Sequence, residues 1–437
     1  MSTEVLPLGE RCNIKCSYCY QEPMRTAGNE GHPKYDMAKM KAALLRNGQP
    51  FAVFGGEPLL VSLRDLEDLW QFGLENFAEK AKKQGTSINS IQTNGSLITE
   101  AHLALFQKYH VGVGVSVDGP DELNDARWAG DVESTRAATA KTQWALEEML
   151  KRRIPVSIIT TIHKINAAPD RLPRLVAWMD DLASKGLRHI NIHYLEINAA
   201  ETRAIALSPE ENTAAIIECS KLMQHGPMDV MPLTHMRKLL RGEDRTTCTW
   251  NACDPYTTAA VHGVDGQGNL QNCGRTSKEG PSWIKAKQKG FERQLSLYYT
   301  PQEYGGCSGC RFFYACKGHC PGEGIDGGDW RSKTEHCATI MSLFEKLEAI
   351  EVADGRVPVS LSPQRLVVEE NYLAAWKRGY TIDLSKAMVQ QAQTPELERP
   401  HVDTPHLDTP HIDHLDVVNP HISHSDHNDG EGAWSRL

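Results

Sequence analysis

The first half of the chain alternates between apolar runs of strand length and amphipathic stretches of helix length. The strand-like runs are Val5–Leu8, Phe51–Phe54, Ile88–Gln92, Val111–Val117, Val156–Ile162 and His189–Leu195. The helix-like stretches between them are Met37–Leu45, Leu63–Lys82, Glu100–Tyr109, Ser134–Arg152 and Leu172–Lys185. Alternation of strands with helices requires crossover connections, so the pattern predicts an α/β fold built on a parallel sheet.

Composition narrows the class of protein. The 437 residues, 40% of them hydrophobic, are enough for about two or three domains. The sequence contains neither an apolar run of about 18 residues nor a signal peptide, so we expect no membrane partner. Twelve cysteines without an export signal favour metal ligation in a reducing cytoplasm over disulfides. The net charge of −9 leaves no basic face, which argues against a nucleic-acid partner.

Three cysteines share one short loop directly after the first predicted strand. Cys12, Cys16 and Cys19 are spaced as Cys-x3-Cys-x2-Cys. Three thiolates can hold three irons of a 4Fe–4S cluster, whereas full ligation by protein takes four, so the fourth iron stays open for chemistry. A zinc knuckle is the alternative, but zinc takes a fourth ligand and none stands in this loop. The spacing therefore predicts an open 4Fe–4S cluster.

The cysteine loop and the alternation around it resemble the radical S-adenosylmethionine (SAM) enzymes. In that family SAM chelates the open iron, and an electron from the cluster cleaves it to methionine and a 5′-deoxyadenosyl radical, which abstracts a substrate hydrogen. An aromatic residue directly after the last cysteine also fits the pattern. The resemblance implies a partial (β/α)6 TIM-like barrel, with its active site in the loops that follow the strands.

Further residues near the predicted strand ends resemble the positions that contact SAM in this family. The resemblance implies that Glu57 approaches the SAM amino group and that Ser116 and Arg127 reach the methionine carboxylate. Arg127 could equally be an ion-pair partner at the surface, and Leu195 could pack on the adenine or belong to the core. The SAM-binding residues implied in this way are Tyr18, Gly55, Gly56, Glu57, Pro58, Thr93, Asn94, Ser116, Asp118, Arg127 and Leu195.

A second group of cysteines follows the predicted barrel. The run Cys307-x2-Cys310-x5-Cys316-x3-Cys320, with Cys337 after it and Gly268-x4-Cys273 before it, resembles the SPASM domain of peptide-modifying radical SAM enzymes. Eight cysteines allow two fully ligated 4Fe–4S clusters, and a pair of zinc sites is the alternative.

The resemblance also implies which cysteines share a cluster. The first auxiliary cluster takes Cys248, Cys253, Cys273 and Cys320, and the second takes Cys307, Cys310, Cys316 and Cys337. With the cluster of the first loop, this makes three 4Fe–4S clusters. Cys219 is left over and lies in an apolar helical pattern, so we expect it to be a core residue.

One position departs from the anaerobic sulfatase maturases, which share this architecture. They carry an aspartate, proposed as a base, directly after the cysteine that matches Cys273, and this chain has Gly274 there. The departure counts against sulfatase maturation but not against other peptide oxidations. No catalytic base is assigned from the sequence.

The tail, defined as residues 393–437, repeats a short unit rich in His, Asp and Pro. Pro405-His406-Leu407-Asp408-Thr409 is one copy, and seven of the 18 histidines lie in the tail. From Thr394 onward, six Asp and three Glu face two Arg, which places −7 of the net charge of −9 here. A chain of this composition cannot bury enough apolar surface to fold alone, so the sequence predicts a disordered tail.

Three roles are compatible with the tail. It can be a solvated acidic extension. It can bind metal, because His and Asp at positions i and i+2 of an extended chain point the same way. It can also be substrate, because His-x-Asp and Trp434-Ser435-Arg436 resemble the three-residue motifs of cyclophane-forming peptide maturases. A maturase fused to its own substrate would gain a high effective concentration.

The sequence therefore predicts a cytoplasmic radical SAM/SPASM enzyme that oxidatively modifies a peptide or protein, with its own tail as one candidate. A crosslink requires a second electron to leave the substrate, which an auxiliary cluster can accept, and flavodoxin or ferredoxin is the expected electron donor. The alternatives are modification of a small molecule or cofactor precursor, and an electron-transfer or metal-binding role. The predicted domains are a barrel (1–230), a SPASM domain (231–345), a helical extension (346–392) and the tail (393–437). No peptide-recognition module is expected before Cys12.

Overall fold

The computed structural model describes residues 3–26, 34–197, 200–226, 228–254, 262–277, 290–324 and 331–389. Its contacts divide the chain into one unit from Met1 to Ala392 and a second from Gln393 to Leu437. The second unit coincides with the tail, so the predicted disorder there lies outside the described residues.

A single mixed sheet organises the described part of the chain. Its strands, numbered in chain order, are β1 Thr3–Leu6, β2 Phe51–Val53, β3 Asn89–Thr93, β4 Val111–Ser116, β5 Val156–Thr161, β6 His189–His193, β7 Asp229–Met231, β8 His262–Asp265 and β9 Leu270–Gln271. The spatial order is β7-β6-β5-β4-β3-β2-β1-β8-β9, and every neighbouring pair is parallel except the antiparallel β8 and β9. β1 does not pair with β6, so the six predicted strands form an open barrel, and the predicted α/β fold is confirmed.

Helices connect the strands and cover the sheet. Within the described ranges the α-helices are Glu22–Thr26, Met37–Asn47, Leu63–Gln84, Glu100–Lys108, Val132–Lys151, Lys164–Ala167, Leu172–Ser184, Ala200–Ile205, Pro209–Glu218, Leu233–Leu240, Gly274–Ser277, Glu292–Tyr299, Phe313–Cys316, Cys337–Ala353, Gln364–Lys377 and Leu384–Val389. Short 3-10 segments cover Pro58–Leu60, Asp121–Asn124, Cys219–His225, Cys248–Trp250, Gln302–Tyr304, Pro321–Glu323 and Val359–Leu361. None of these helices is long and apolar enough to cross a membrane.

The helix over Leu63–Gln84 illustrates how local sequence sets these bounds. The Ser62 side chain accepts a hydrogen bond from the Asp65 backbone amide and begins the helix, and Gly85 ends it in the left-handed conformation. Between these caps Trp70 and Phe77 are buried in the core. The fixed ends and the apolar face hold the loop after β2 against the barrel.

Three strands were not predicted. β7 extends the sheet beyond β6, and β8 and β9 extend it beyond β1. They are two to four residues long, too short to produce a clear apolar pattern. Because β8 pairs with β1 along its whole length, the region that carries the second cysteine group adjoins the barrel directly. The domain boundaries at residues 230 and 345 stay predictions.

Candidate active site

The loop of Cys12, Cys16 and Cys19 follows β1, which ends where Pro7 can no longer donate to the ladder. Backbone hydrogen bonds from Lys15 to Trp128 (2.6 Å) and from Ser17 to Ala126 (2.8 Å) fix one side of this loop. The structure brings the three thiols together in the wall of one cavity, and burial together with the neighbouring Cys19 and Cys12 raises the pKa of Cys16 to about 12.

The glycines after β2 allow the cysteine loop to lie directly against the backbone. A Cβ atom at Gly56 would lie 2.1 Å from the Arg11 carbonyl oxygen, and one at Gly55 would lie 2.5 Å from the Gly9 oxygen. Gly55 also has a φ of +123°, which other residues rarely adopt. In place of a side chain, the Gly56 amide donates to the Gly9 carbonyl at 2.8 Å. Both positions therefore require glycine.

Beside these two loops lies a cavity of about 190 Å³, which we call the SAM cavity. It opens at the carboxyl ends of the strands, where the sequence predicted the active site. Seven of the eleven predicted SAM-binding residues line it together with the three cysteines of the loop. The seven are Tyr18, Gly55, Gly56, Thr93, Asn94, Ser116 and Arg127.

The other four predicted residues, Glu57, Pro58, Asp118 and Leu195, lie behind the cavity wall. Glu57 is buried, and its carboxylate accepts hydrogen bonds from the Thr93 hydroxyl (2.7 Å) and from the amides of Asn94 (2.8 Å) and Leu59 (2.9 Å). Through these contacts Glu57 fixes the positions of Thr93 and Asn94, which do line the cavity. Leu195 is buried, and its carbonyl oxygen lies 3.0 Å from a ring nitrogen of His336. Direct contact of these four residues with SAM stays a prediction.

Asp118 is the electrostatic partner of Arg127 rather than part of the wall. Its carboxylate accepts hydrogen bonds from Arg127 (3.0 Å) and from the Thr161 amide (3.0 Å), and Tyr18 donates to it as well. Burial opposes ionisation of Asp118, but Arg127 and a hydrogen bond from His163 outweigh it and lower the pKa to about 2. Asp118 is therefore ionised at neutral pH, and Arg127 is not a surface ion-pair residue.

Arg127 places a cationic donor without a partner in the wall of the SAM cavity. The Nε of Arg127 is buried and has no hydrogen-bond partner among the described residues. A buried cationic donor left open in this way suits a carboxylate. The glycine cradle, the three thiols and this free donor together fit the cluster and the SAM carboxylate that the resemblance implies.

The first predicted auxiliary set is also brought together. The pKa of Cys273 is raised by burial, by Glu4, and by Cys320 and Cys248. The pKa of Cys320 is in turn raised by burial and by Glu323, Cys253 and Cys248. Cys248, Cys253, Cys273 and Cys320 are therefore neighbours, although up to 72 positions separate them in the sequence.

The second predicted auxiliary set forms a separate group. The pKa of Cys316 is raised by burial and by Cys307, Cys337 and Cys310. The pKa of Cys307 is raised to about 12 by burial and by Cys310 and Cys337. Among the described residues, no three His, Cys, Asp or Glu side chains come close enough to hold a single metal ion. Cys219 is 1% exposed and lies in the hydrophobic core, as predicted.

A second cavity, of about 270 Å³, lies between the SAM cavity and the first auxiliary set, and we call it the inner cavity. All four cysteines of that set line this cavity: Cys248, Cys253, Cys273 and Cys320. Six residues line both cavities and connect them. These are Tyr20, Phe54, Ile159, His193, Tyr194 and Arg275.

Arg275 holds the polar side of the inner cavity together. Its guanidinium pairs with Glu196 (3.0 Å) and with Glu323, and it donates to His193 Nδ1 at 3.0 Å. Burial and the Arg275 charge lower the pKa of His193 to about 3, so its ring is neutral. Glu323 also lies 3.1 Å from His319 Nδ1. This network joins β6 to the segments around Cys273 and Cys320.

Gly274, the position at which sulfatase maturases carry an aspartate, lies against Tyr20. A Cβ atom at Gly274 would lie 3.1 Å from the Tyr20 hydroxyl oxygen, which is closer than most real contacts. The tyrosine that follows the cysteine loop therefore occupies the space into which a side chain at Gly274 would extend. An aspartate would not fit here without a shift of Tyr20.

The residues that form the inner cavity are not predicted by the sequence patterns. His193 and Tyr194 stand at the end of β6, where strand-end residues of a barrel were available as a signal. Arg275 lies two positions after Cys273, but the pattern gives no sign that it reaches β6. Glu4 lies one position before the predicted first strand, Val5–Leu8, whereas β1 as observed includes it.

Known proteins share both the fold and the sequence of this region. The Radical SAM superfamily model matches residues 6–170. The chain is 28% identical over 206 residues to the serine-type anaerobic sulfatase-maturating enzyme of Klebsiella aerogenes, covering 45% of this chain and 47% of that protein. It is 29% identical over 132 residues to the cysteine-type enzyme of Clostridium perfringens, covering 29% and 35%. The chain thus matches less than half the length of these curated relatives.

A solved structure extends the likeness to most of the chain. The structure described as native anSMEcpe with bound AdoMet and Cp18Cys peptide has a TM-score of 0.59 and 20% sequence identity, and covers 81% of this chain and 99% of that one. At this identity the likeness establishes the fold. The family match, by contrast, covers the segment that carries the cysteine loop and most of the SAM cavity. Residues 6–170 therefore match the radical SAM superfamily, and this likeness implies a site for S-adenosylmethionine and a 4Fe–4S cluster in that segment.

Proposed function

We propose that this protein is a radical SAM/SPASM enzyme that oxidises a peptide or protein substrate in the inner cavity. The observation that carries the proposal is the position of that cavity. It shares six lining residues with the SAM cavity on one side and is lined by the first auxiliary set of cysteines on the other. A substrate held there would lie between a source of radicals and an electron acceptor.

Three 4Fe–4S clusters are part of the proposal. Cys12, Cys16 and Cys19 would hold the cluster that binds SAM, and the two groups of four cysteines would hold the auxiliary clusters. Arg127 Nε would bind the methionine carboxylate, with Ser116 beside it in the cavity wall. When bound, SAM and its cluster supply a 5′-deoxyadenosyl radical.

The net reaction removes two hydrogens from the substrate. One leaves as a hydrogen atom and ends in 5′-deoxyadenosine. The substrate then loses one proton and one electron, and the cluster held by the first auxiliary set would accept that electron. A flavodoxin- or ferredoxin-type donor supplies the single electron that SAM cleavage consumes. Formation of a crosslink within the substrate balances this loss.

The substrate class follows from the relatives and from the tail. The structure with the same fold was solved with a bound peptide, which supports a peptide substrate for this chain. The His-x-Asp units of the tail make it the first candidate. The glycine at position 274 and the tyrosine packed on it support a peptide oxidation other than sulfatase maturation.

Mass spectrometry of the full chain after anaerobic incubation with SAM and a reductant tests the proposal. We expect a loss of about 2 Da for each crosslink in the tail, because each removes two hydrogens. The loss should require SAM and should be absent from the Cys12→Ala variant. Formation of 5′-deoxyadenosine without a mass change in the tail, or in any added peptide, would instead favour a small-molecule substrate.

A further inference from the structure

Two buried polar atoms in the inner cavity have no hydrogen-bond partner among the described residues. One is the hydroxyl oxygen of Tyr194 and the other is Oε2 of Glu4. Both residues line the inner cavity. A buried polar group without a partner costs roughly 1–3 kcal/mol, so two of them in one cavity indicate that a ligand completes them.

Tyr194 is held in place by its ring. The ring stacks on His336 with centroids 4.8 Å apart and planes 21° apart, and the residue is 5% exposed. His336 lies in turn 3.0 Å from the Leu195 carbonyl oxygen. Burial raises the pKa of Tyr194, so its hydroxyl keeps its proton and can donate. The free hydroxyl is therefore a fixed donor.

Glu4 supplies the complementary group. It lies on β1 between two residues whose side chains point to the other face of the sheet, so its own side chain points into the barrel. Burial raises the pKa of Glu4 to about 7, while Arg275 acts to lower it. A carboxyl group retains acceptor capacity in either protonation state. The cavity therefore combines a fixed donor with an acceptor.

The size of the cavity limits what can fill it. Its volume of about 270 Å³ is below the roughly 300–1,000 Å³ of ordinary small-molecule sites. Phe54, Ile192 and Trp250 contribute apolar surface to its wall. Because the cluster that Cys248, Cys253, Cys273 and Cys320 would hold takes part of this volume, the space that remains suits one flat side chain of a substrate rather than a whole peptide.

We infer that the inner cavity is a subsite for the imidazole ring of a substrate histidine, bound between Glu4 and Tyr194. A neutral imidazole carries one N–H donor and one nitrogen acceptor, so it can satisfy the acceptor Glu4 and the donor Tyr194 together. A phenyl ring satisfies neither group, and an indole satisfies only Glu4. The seven histidines of the tail are one source of such a ring. This inference rests on the proposed peptide oxidation.

Binding of short peptides tests the subsite directly. The probes are Pro-His-Leu-Asp-Thr, which is the sequence of residues 405–409, and its analogues with Phe, Trp or Tyr in place of His. The protein is the full chain, loaded with clusters and SAM, in which the tail cannot compete. For this the seven tail histidines are replaced by His401→Ser, His406→Ser, His411→Ser, His414→Ser, His421→Ser, His424→Ser and His427→Ser.

We expect the His peptide to bind at least tenfold more tightly than the Phe peptide. Tyr194→Phe should weaken the His peptide about fivefold, and Glu4→Gln about tenfold, while binding of the Phe peptide is unchanged. Tyr194→Phe should also keep the thermal stability, because the hydroxyl it removes has no partner in the free protein. The exposed residues Tyr380 and Glu133 provide the matched controls Tyr380→Phe and Glu133→Gln.

Equal affinity for the four peptides would overturn the subsite, as would unchanged affinity for the His peptide in both cavity variants. The proposed function is read separately, by loss of about 2 Da from any of the peptides. Oxidation of the Phe or Trp peptide without preference for His would keep the function and reject the subsite. Selective binding of the His peptide with no oxidation would keep the subsite and reject the proposed function.

Discussion

The guanidinium of Arg127 donates a 3.0 Å hydrogen bond to the carboxylate of Asp118, and both side chains are buried. The Thr161 amide donates to the same carboxylate and fixes it from a second side. Because Arg127 bonds to Asp118 through one terminal nitrogen, its Nε–H remains available in the wall of the SAM cavity. The ion pair thus holds a cationic donor in one orientation.

Arg127→Lys tests the role of that donor. Lysine keeps the charge that Asp118 requires but lacks the planar fork of the guanidinium. We expect SAM affinity to fall about tenfold to a hundredfold, since a hydrogen bond to a charged group is worth about 1.5–3 kcal/mol. Iron content should not change. The control is Arg136→Lys, which alters an ion pair with Asp125 outside the cavity. Equal SAM affinity in both variants would remove Arg127 from the site.

The three thiols of the first loop should hold one of the three 4Fe–4S clusters. Fully reconstituted protein should contain about twelve irons per chain, as three clusters of four. Combining Cys12→Ala, Cys16→Ala and Cys19→Ala should remove about a third of the iron and abolish formation of 5′-deoxyadenosine. Cys219→Ala is the control and should retain all the iron, because this thiol lies in the core. SAM cleavage by the triple variant would show that the loop is not the catalytic site.

The strands and helices of the barrel were predictable because their patterns are local. All six predicted strands are present, most of them within about two residues of the predicted ends, and all five helices are present. The inner cavity was not predictable. It depends on Arg275 reaching Glu196 and His193 across more than 70 positions of sequence, and side-chain contacts of that range leave no periodic pattern.

The SAM cavity was predictable from the sequence in part. Spacing identified the cysteines and the Gly55-Gly56 turn, since the backbone there cannot accommodate a side chain. Spacing could not distinguish the residues that line the cavity from the residues that lie behind its wall. Glu57 and Asp118 have charged side chains near strand ends, yet their carboxylates already accept hydrogen bonds from Asn94 and Arg127. We therefore expect substitutions of Glu57 and Asp118 to act on SAM binding through those partners.

The neutral ring of His193 should make the protein sensitive to acid. Burial and Arg275 lower its pKa to about 3, so the folded state cannot take up the proton that the unfolded state binds below about pH 6.5. Stability is therefore lost as the pH falls from about 6.5 towards 3, at about 1.4 kcal/mol for each pH unit. Above pH 6.5 this contribution is constant.

His193→Gln keeps an acceptor for Arg275 but does not titrate. Between pH 7.5 and 5.5, we expect the wild type to lose about 1 kcal/mol more stability than this variant, measured by anaerobic urea unfolding. The exposed His110 gives the control His110→Asn, because asparagine tolerates its positive φ of 49°. If wild type and His193→Gln lost the same stability, His193 would not be the group responsible.

Arg293 should set the reduction potentials of the auxiliary clusters. It is 1% exposed and donates to the carbonyls of Gly318 (3.2 Å) and Ser332 (2.9 Å). Its charge acts on Cys253 and Cys320 of the first auxiliary set and on Cys307 and Cys316 of the second. A buried cation between two clusters favours their reduced, more negative states.

Arg293→Met should therefore lower the midpoint potentials of both auxiliary clusters by tens of millivolts, measured by redox titration with electron paramagnetic resonance. The potential of the cluster in the first loop should change less. Arg293→Lys keeps the charge and should restore most of the shift, whereas Arg378→Met at an exposed position should have no effect. A shift confined to one auxiliary cluster would contradict a position between the two.

Experiments on the tail distinguish a substrate from an inert extension. Removal of residues 394–437 should leave SAM cleavage and iron content unchanged, because a Pro-, His- and Asp-rich segment has little apolar surface to bury.

Supplied as a separate peptide, the same residues should be oxidised slowly at micromolar concentration and approach the rate of the full chain only near millimolar concentration. Covalent attachment can provide an effective concentration of that order. A peptide that loses 2 Da equally fast at micromolar concentration would show that covalent attachment contributes nothing. If neither the attached nor the separate tail lost mass, the tail would not be the substrate, and zinc uptake that disappears below about pH 6 would then identify it as a metal-binding segment.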